Sequence, residues 1–137
     1  MRYYIGVASK DHIEIGKSKG FCQFCHGKRA MVKKLKRNDW IIYYSPKVAF
    51  VGNEACQKFT AIGQIVDDVE YQVEQFSGFF PWRRDVRYYE SNNVEIKPLI
   101  DVLLFVKNKT QWGMTFRYGF FEISGDDFEL IKSLIII

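Results

Sequence analysis

A series of short apolar segments, each about as long as one β-strand, limits most strongly what this chain can fold into. The segments at residues 2–8, 39–44, 60–69, 85–90 and 112–117 each predict a strand. Segment 39–44 is almost wholly apolar, which is typical of a strand buried on both faces. Five or more short strands at these spacings favour a closed or nearly closed β-barrel.

Three helices are expected between and after these strands. Residues 30–36 alternate apolar and lysine side chains at helical spacing, which predicts a short basic amphipathic helix. A second short helix is predicted at residues 100–105, after Pro98. Ser124 and Asp127 have the spacing of a capping box, and apolar residues follow at helical spacing up to Ile135. We expect this last helix to plug or cover the barrel.

The length of the chain fits a single domain that spans residues 1–137. A chain of 137 residues buries enough apolar surface to fold without disulfide or metal crosslinks. The sequence contains no apolar run of the roughly 20 residues that cross a bilayer, and no basic segment with a cleavage site at its start. We therefore expect a cytoplasmic or nucleoid-associated protein.

Positive charge is concentrated in the first part of the chain. Residues 1–50 hold eleven Lys or Arg against three Asp or Glu, and the remainder holds nine against thirteen. Six of the cations fall between positions 28 and 37, namely Lys28, Arg29, Lys33, Lys34, Lys36 and Arg37. Such a helix is suited to contacts with phosphates, which position a nucleic acid without reading its sequence. The alternative is an ordinary solvated surface.

The aromatic content points to a base-binding pocket. Phe, Trp and Tyr make up 17% of the residues, and proteins hold unstacked bases between aromatic rings. Most of these rings must belong to the core. The candidates for a pocket beside the basic helix are Phe21, Phe24, Tyr44, Trp82 and Trp112.

The motif Cys22-Gln23-Phe24-Cys25-His26 has the spacing of a covalent haem site, but its context does not support one. A thioredoxin-like dithiol would need a βαβ context, which the strand pattern does not provide. A zinc site would need a second pair of ligands, and only the isolated His12 and Cys56 remain. We predict no cofactor and no metal, with both cysteines half-buried before a helix.

Catalysis has little support in the sequence. Ser9, Asp11 and His12 lie close together, but no nucleophile elbow, phosphate-binding loop or dinucleotide fingerprint is present. We predict a protein that is not an enzyme. Two alternatives stay open, a small-molecule enzyme that uses Ser9, His12 and His26, and a module that binds another protein.

Eight sequence blocks follow one another in a recognisable order, namely residues 3–10, 25–28, 38–47, 59–63, 82–86, 96–100, 105–109 and 112–114. The blocks and their order resemble the EVE domain family. Together they span nearly the whole chain. The EVE family is related to the PUA, ASCH and YTH families, so the resemblance implies an α+β fold. This fold is a PUA-like mixed β-barrel of five to six or more short strands with a few flanking helices.

The resemblance also implies a binding function. Members of this group bind RNA or modified bases, so we expect a non-catalytic module that binds DNA or RNA and reads a methylated cytosine or adenine. The implied base pocket comprises Ser9, Lys10, Phe24, His26, Gly27, Lys28, Tyr44, Ser45, Trp82, Trp112 and Met114. The expected phosphate contacts form a basic rim, defined as Arg29, Lys33, Lys34, Lys36 and Arg37.

Overall fold

The computed structural model describes residues 1–137 and contains seven strands and three α-helices. The strands are β1 Tyr3–Val7, β2 Phe21–Cys22, β3 Trp40–Lys47, β4 Ala55–Gln72, β5 Trp82–Tyr88, β6 Val94–Glu95 and β7 Phe120–Ile123. The α-helices are α1 Lys10–Lys19, α2 Arg29–Lys34 and α3 Gly125–Ile135. Short 3₁₀ helices occupy Cys25–Gly27, Lys97–Leu99 and Trp112–Tyr118. None of the helices combines the length and the apolar character that a membrane-spanning helix requires.

The strands form one mixed sheet that confirms the α+β class. Their order is β2-β5-β4-β3-β1-β7, and β6 pairs separately with β4. The β1–β3 pair is parallel, and the other pairs are antiparallel. The prediction of a closed or nearly closed barrel was wrong in that the sheet does not close, because β2 and β7 remain at its two ends. Strand β4 joins three partners, with register shifts against β3 and β5.

Both faces of β3 are buried, as its apolar sequence predicted. Ile42 and Tyr44 belong to one core cluster, which also contains Ile131 of α3. Ile41 and Tyr43 belong to a second cluster on the opposite face. This division follows from the strand geometry, because successive side chains point to opposite faces of a sheet. Helix α3 therefore covers one face of an open sheet and does not plug a barrel.

The amphipathic helices agree with their sequence patterns. In α2, Val32 is buried and the lysines are exposed. The predicted cap of α3 is confirmed, because Ser124 Oγ accepts a hydrogen bond from the Asp127 amide at 3.2 Å. Helix α1 was not assigned from periodicity because only Ile13 and Gly16 of its residues are buried, which leaves almost no apolar stripe to detect.

Two predicted elements were wrong. Residues 112–117 were expected to form a strand but lie in the 3₁₀ helix Trp112–Tyr118, which packs the buried Phe116 onto the core. Residues 100–105 were expected to form a helix but form turns. Side chains satisfy four of their backbone groups. Asp127 accepts from the amides of residues 104 and 105, and Lys109 Nζ donates to the carbonyls of residues 100 and 103.

Candidate functional site

A cleft of about 1010 Å³ lies where four separate segments meet. Helix α1 forms one wall and residues 21–26 form the next. The tip of the β4–β5 hairpin, at residues 75–79, and the turn at residues 116–119 complete the boundary. Tyr43 of β3 and Tyr88 contribute from the sheet.

The lining of the cleft combines aromatic rings with positive charge. The rings belong to Phe21, Phe24, Tyr43, Phe50, Phe76, Phe79, Tyr88, Phe116 and Tyr118. Lys19, Arg83 and Arg117 contribute cationic side chains, and His12 and His26 contribute imidazoles. The chain has 16 Asp and Glu residues, yet none of them lines the cleft. Such a lining suits a ligand that carries both a flat ring and negative charge.

Phe24 occupies its place in the cleft because Gly6 of β1 has no side chain. A Cβ at Gly6 would lie 2.3 Å from Phe24 Cε1 and 2.9 Å from Tyr43 Cε1, which is closer than atoms can pack. The Phe24 ring stands 5.4 Å from Tyr43 and 4.6 Å from Phe120, measured between ring centroids. The glycine thus lets three rings pack above the strand and fixes the floor of the cleft.

A left-handed turn forms the wall at residues 25–27. The φ angles of Cys25, His26 and Gly27 are 50°, 62° and 76°. Left-handed backbone costs a non-glycine residue roughly 1–2 kcal/mol, so consecutive residues in this region store strain. Strained backbone of this kind is concentrated at functional sites. The turn places both Cys25 and His26 in the lining of the cleft.

A polar network crosses the wall beside the hairpin. Arg83 Nε donates to Gln23 Oε1 at 2.9 Å, and its terminal nitrogen donates to Gln75 Oε1 at 3.0 Å. Gln23 Nε2 also donates to Gln75 Oε1 at 3.1 Å. The guanidinium lies 3.7 Å from the centroid of the Phe21 ring. Burial lowers the pKa of Arg83, but an arginine remains charged at neutral pH. The network therefore joins β2 to the hairpin and keeps a fixed cation in the cleft.

Two tyrosines, one on β3 and one on β5, tie these interior strands of the sheet to the wall at residues 21–26. Tyr43 Oη donates to the Gln23 carbonyl at 3.0 Å, and Tyr88 Oη donates to the Phe21 carbonyl at 2.8 Å. Burial raises the pKa of both phenols well above the ordinary value. Both therefore stay protonated and remain hydrogen-bond donors at neutral pH.

Asp11 connects the start of α1 to the loop between β3 and β4. Its carboxylate accepts hydrogen bonds from Ser9 Oγ at 2.5 Å and from the Phe50 amide at 3.2 Å. Burial alone raises the pKa of Asp11, but these bonds and one from the His12 amide outweigh it and lower the pKa. The His12 ring stacks on Phe50 at 5.0 Å between centroids. Ser9 and His12 are thus engaged with Asp11 and Phe50 rather than with each other.

The cysteines do not have the features of a redox pair. Cys22 is buried in β2, and burial raises the pKa of its thiol to about 12. Burial also raises the pKa of Cys25. Reactive cysteines need the opposite shift, because the thiolate is the nucleophile. The structure contains no cluster of three or more His, Cys, Asp or Glu side chains that could hold a metal ion.

The structure brings only part of the predicted base pocket together. Ser9, Phe24 and His26 line the cleft, while Gly27 and Lys28 follow directly after its wall and Lys10 begins α1. Tyr44 is 2% exposed, and its ring stacks on Phe116 at 3.9 Å in the core. The buried hydroxyl of Ser45 pairs with that of Thr60 at 2.8 Å. Tyr44 and Ser45 therefore face the core rather than the cleft.

The two predicted tryptophans and Met114 lie outside the cleft lining. Trp82 is half-buried, and the Arg29 guanidinium lies 4.8 Å from its ring centroid. Trp112 packs against the first core cluster, and Met114 is exposed. Their binding roles stay predictions.

The residues of the basic rim lie on α2 and directly after it, and none of them lines the cleft. Lys33, Lys34, Lys36 and Arg37 are exposed. Arg29 is engaged in a bidentate ion pair with Glu70, at 3.0 Å and 3.2 Å. Lys34 and Arg2 line a separate depression of about 370 Å³. The rim is connected to the cleft through Lys28 and the turn at residues 25–27.

Several cleft residues were missed from the sequence. They are Gln23, Phe50, Gln75, Phe76, Phe79, Arg83, Tyr88 and Tyr118. One signal could have found two of them. Phe76-Ser77-Gly78-Phe79 lies between two strand-like segments and has the composition of a hairpin turn, which places its rings at an exposed tip.

Comparison with known proteins gives a consistent result for family and fold. A family model described as the EVE domain matches residues 2–134. A UPF0310 protein of Helicobacter hepaticus is 46% identical over 134 residues, which cover 96% of this chain and 94% of the relative. A UPF0310 protein of Mycolicibacterium vanbaalenii is 45% identical over 136 residues, with 99% and 94% covered.

Solved structures share the fold at low sequence identity. The complex of the YTH domain-containing protein mmi1 with RNA aligns with a TM-score of 0.63 at 11% identity, covering 96% of this chain and 79% of that one. A crystal structure of a Pseudomonas syringae protein aligns with a TM-score of 0.59 at 14% identity, covering 96% and 97%. At these identities the similarity shows the fold alone.

Proposed function

This chain belongs to the EVE domain family, and from that premise we propose that it is a non-catalytic module that binds nucleic acid and holds one unstacked base in the cleft. The base lies between aromatic rings, and the phosphates on either side are held by cations. The base it prefers is a methylated cytosine or adenine, and the strand is DNA or RNA.

The composition of the cleft is the observation that carries this proposal. Aromatic rings bind an extruded base by stacking, and cations at the same site neutralise its phosphates. The absence of carboxylates from the lining removes the repulsion that a polyanion would otherwise meet. The volume of about 1010 Å³ is at the upper end for small-ligand pockets, so a base can enter together with its sugar.

Family and fold support the same class of ligand. The YTH domain-containing protein mmi1, which shares this fold, was solved in complex with RNA. An EVE-type fold is therefore consistent with a nucleic-acid-binding module.

The polar side chains of the cleft support binding more than catalysis. A serine nucleophile needs a base within hydrogen-bonding distance. Ser9 Oγ donates to Asp11 instead, and the nearby His12 ring stacks on Phe50. The amide groups of Gln23 and Gln75 are suited to hydrogen bonds with the edge of a base.

The proposal is tested by titrating labelled single- and double-stranded oligonucleotides, with and without 5-methylcytosine or N6-methyladenine, and following fluorescence anisotropy at two salt concentrations. We expect tighter binding of one modified strand. Arg117→Glu, which reverses an exposed charge in the cleft, should weaken binding about tenfold or more. Lys107→Glu makes the same change of net charge outside the cleft and should have a much smaller effect. Failure of every oligonucleotide to bind at low salt would refute the proposal.

The basic rim gives a second prediction. Replacing Lys33, Lys34 and Lys36 together with Gln should weaken binding equally for all sequences, because phosphate contacts carry no sequence information. The slope of log K against log salt should become shallower by about 2, since each lost phosphate contact on a single strand removes roughly 0.7. A matched triple variant at Lys58, Lys97 and Lys107 is the control. If both triple variants bind alike, α2 is only a solvated surface.

A further inference from the structure

Three exposed aromatic rings surround the entrance of the cleft. They are Phe50, which is 55% exposed, Phe76, which is 62% exposed, and Tyr118, which is 74% exposed. All three line the cleft, yet each comes from a different loop. We call these three rings the aromatic lip. Large rings so exposed around one concavity indicate a binding surface rather than a core.

Phe50 is held in place by two side chains. Its amide donates to both Asp11 carboxylate oxygens at 3.2 Å, and its carbonyl accepts from Lys47 Nζ at 2.6 Å. The same ammonium lies 5.4 Å from the Phe50 ring centroid. The ring is therefore positioned before any ligand arrives, which lowers the entropy cost of binding.

Phe76 is positioned by the tip of the β4–β5 hairpin. The Phe79 amide donates to the Phe76 carbonyl at 2.9 Å and closes a four-residue turn. Gly78, the third residue of this turn, has a φ of 81°, as a type II turn requires. The Phe76 ring stacks on Phe79 at 4.8 Å between centroids. The hairpin thus presents Phe76 beside the cleft on an ordered turn.

Tyr118 belongs to another wall of the cleft, which contacts the wall at residues 25–27. Its carbonyl lies 3.7 Å from Cys25 Sγ, within reach of a weak hydrogen bond from the thiol. The next residue, Gly119, has a φ of 74°, and a Cβ there would lie 2.8 Å from the same sulfur. The left-handed turn and the loop that carries Tyr118 are therefore packed directly on each other.

We infer that this module takes its base from a single strand, and that the aromatic lip stacks on the neighbouring bases. This inference rests on the proposed function. Rings around the entrance can stack only on bases whose faces are free, and in a duplex those faces are covered by the adjacent base pairs. Stacking platforms beside a positively charged groove are typical of proteins that bind single strands.

The test measures how affinity depends on strand length. A short labelled single strand is displaced by three competitors that share 5-methylcytosine or N6-methyladenine as the bound base. They are the nucleoside monophosphate, the trinucleotide with that base at its centre, and the same sequence within a duplex. The trinucleotide should bind more tightly than the monophosphate by about 5- to 150-fold for each base stacked. The duplex should compete least.

Variants of the aromatic lip should reduce this gain, so that the affinity for the trinucleotide falls by a larger factor than the affinity for the monophosphate. Phe76→Ala and Tyr118→Ala each lose one stacking platform. Phe80→Ala is the matched control, because Phe80 is 52% exposed on the same hairpin but does not line the cleft. Circular dichroism spectra establish that each variant is folded.

The outcomes separate the two proposals. If the duplex competes best, or if the trinucleotide binds no better than the monophosphate, the inference is wrong while the proposed function stands. Equal trinucleotide affinity in the Phe76→Ala, Tyr118→Ala and Phe80→Ala proteins would likewise overturn the inference. The exposed rings would then be explained as contacts with a protein partner. If no competitor and no labelled strand binds, both proposals fail.

Discussion

Replacing Arg84 with methionine should lower the free energy of unfolding by about 3 kcal/mol or more, because buried carbonyl groups that lose their donors cost roughly 1–3 kcal/mol each. Arg84 is 2% exposed and forms no ion pair within 4.0 Å. Its guanidinium donates instead to the main-chain carbonyls of Val32 at 2.8 Å, Leu35 and Asp67. Val32 and Leu35 lie at the end of α2, and Asp67 lies where the register of β4 against β5 shifts. The Arg84 side chain therefore joins β5 to α2 and β4.

Methionine keeps much of the apolar volume of arginine, so the variant tests the hydrogen bonds more than the packing. The free energy of unfolding is measured by urea denaturation, with the slope against denaturant as a check on two-state behaviour. Arg37→Met is the control, since Arg37 is exposed and bonds only through its backbone amide. That change should alter stability by less than about 0.5 kcal/mol. Equal losses in the two variants would show that the guanidinium adds no net stability.

The sequence predicted elements well where burial left a periodic pattern. The prediction of β3 from its continuous apolar run was correct because the strand is buried on both faces. The prediction of α3 was correct because its apolar residues repeat at helical spacing. Closure of the sheet was not predictable, since it depends on whether β2 and β7 meet. The turns at residues 100–105 depend on Asp127, which is distant in sequence.

The cleft was harder to predict because aromatic residues serve both as core and as ligand contacts. Tyr43 and Tyr44 are adjacent in β3, and strand geometry sends them to opposite faces. The resemblance placed Tyr44 in the pocket, whereas the cleft contains Tyr43 and the core contains Tyr44. Tyr118 and Phe50 reach the cleft only through contacts between distant loops. Sequence spacing carries no information about such contacts.

Gly27→Ala should lower the free energy of unfolding by about 2–4 kcal/mol, the sum of a strained backbone and an overpacked contact. Gly27 has a φ of 76°, and a Cβ there would lie 2.3 Å from Pro81 Cβ and 2.7 Å from Pro81 Cα. Pro81 is the last residue of the connection between β4 and β5, which also carries Phe76. The contact with Gly27 therefore joins the wall at residues 25–27 to this connection. The substitution should therefore move the wall and weaken the binding of strands as well.

Alanine substitutions at two other glycines separate the two causes of this loss of stability, with the free energy of unfolding measured by urea denaturation. Gly78 has a φ of 81° and no atom within 4 Å of its Cβ position, so Gly78→Ala measures the backbone strain alone, about 1 kcal/mol. Gly113 has neither a left-handed backbone nor a close neighbour, and Gly113→Ala should change neither stability nor strand affinity. Should Gly27→Ala be no more destabilising than Gly78→Ala, the contact with Pro81 does not constrain the wall. A stability loss without any loss of affinity would mean that the wall at residues 25–27 supports the fold but does not position the ligand.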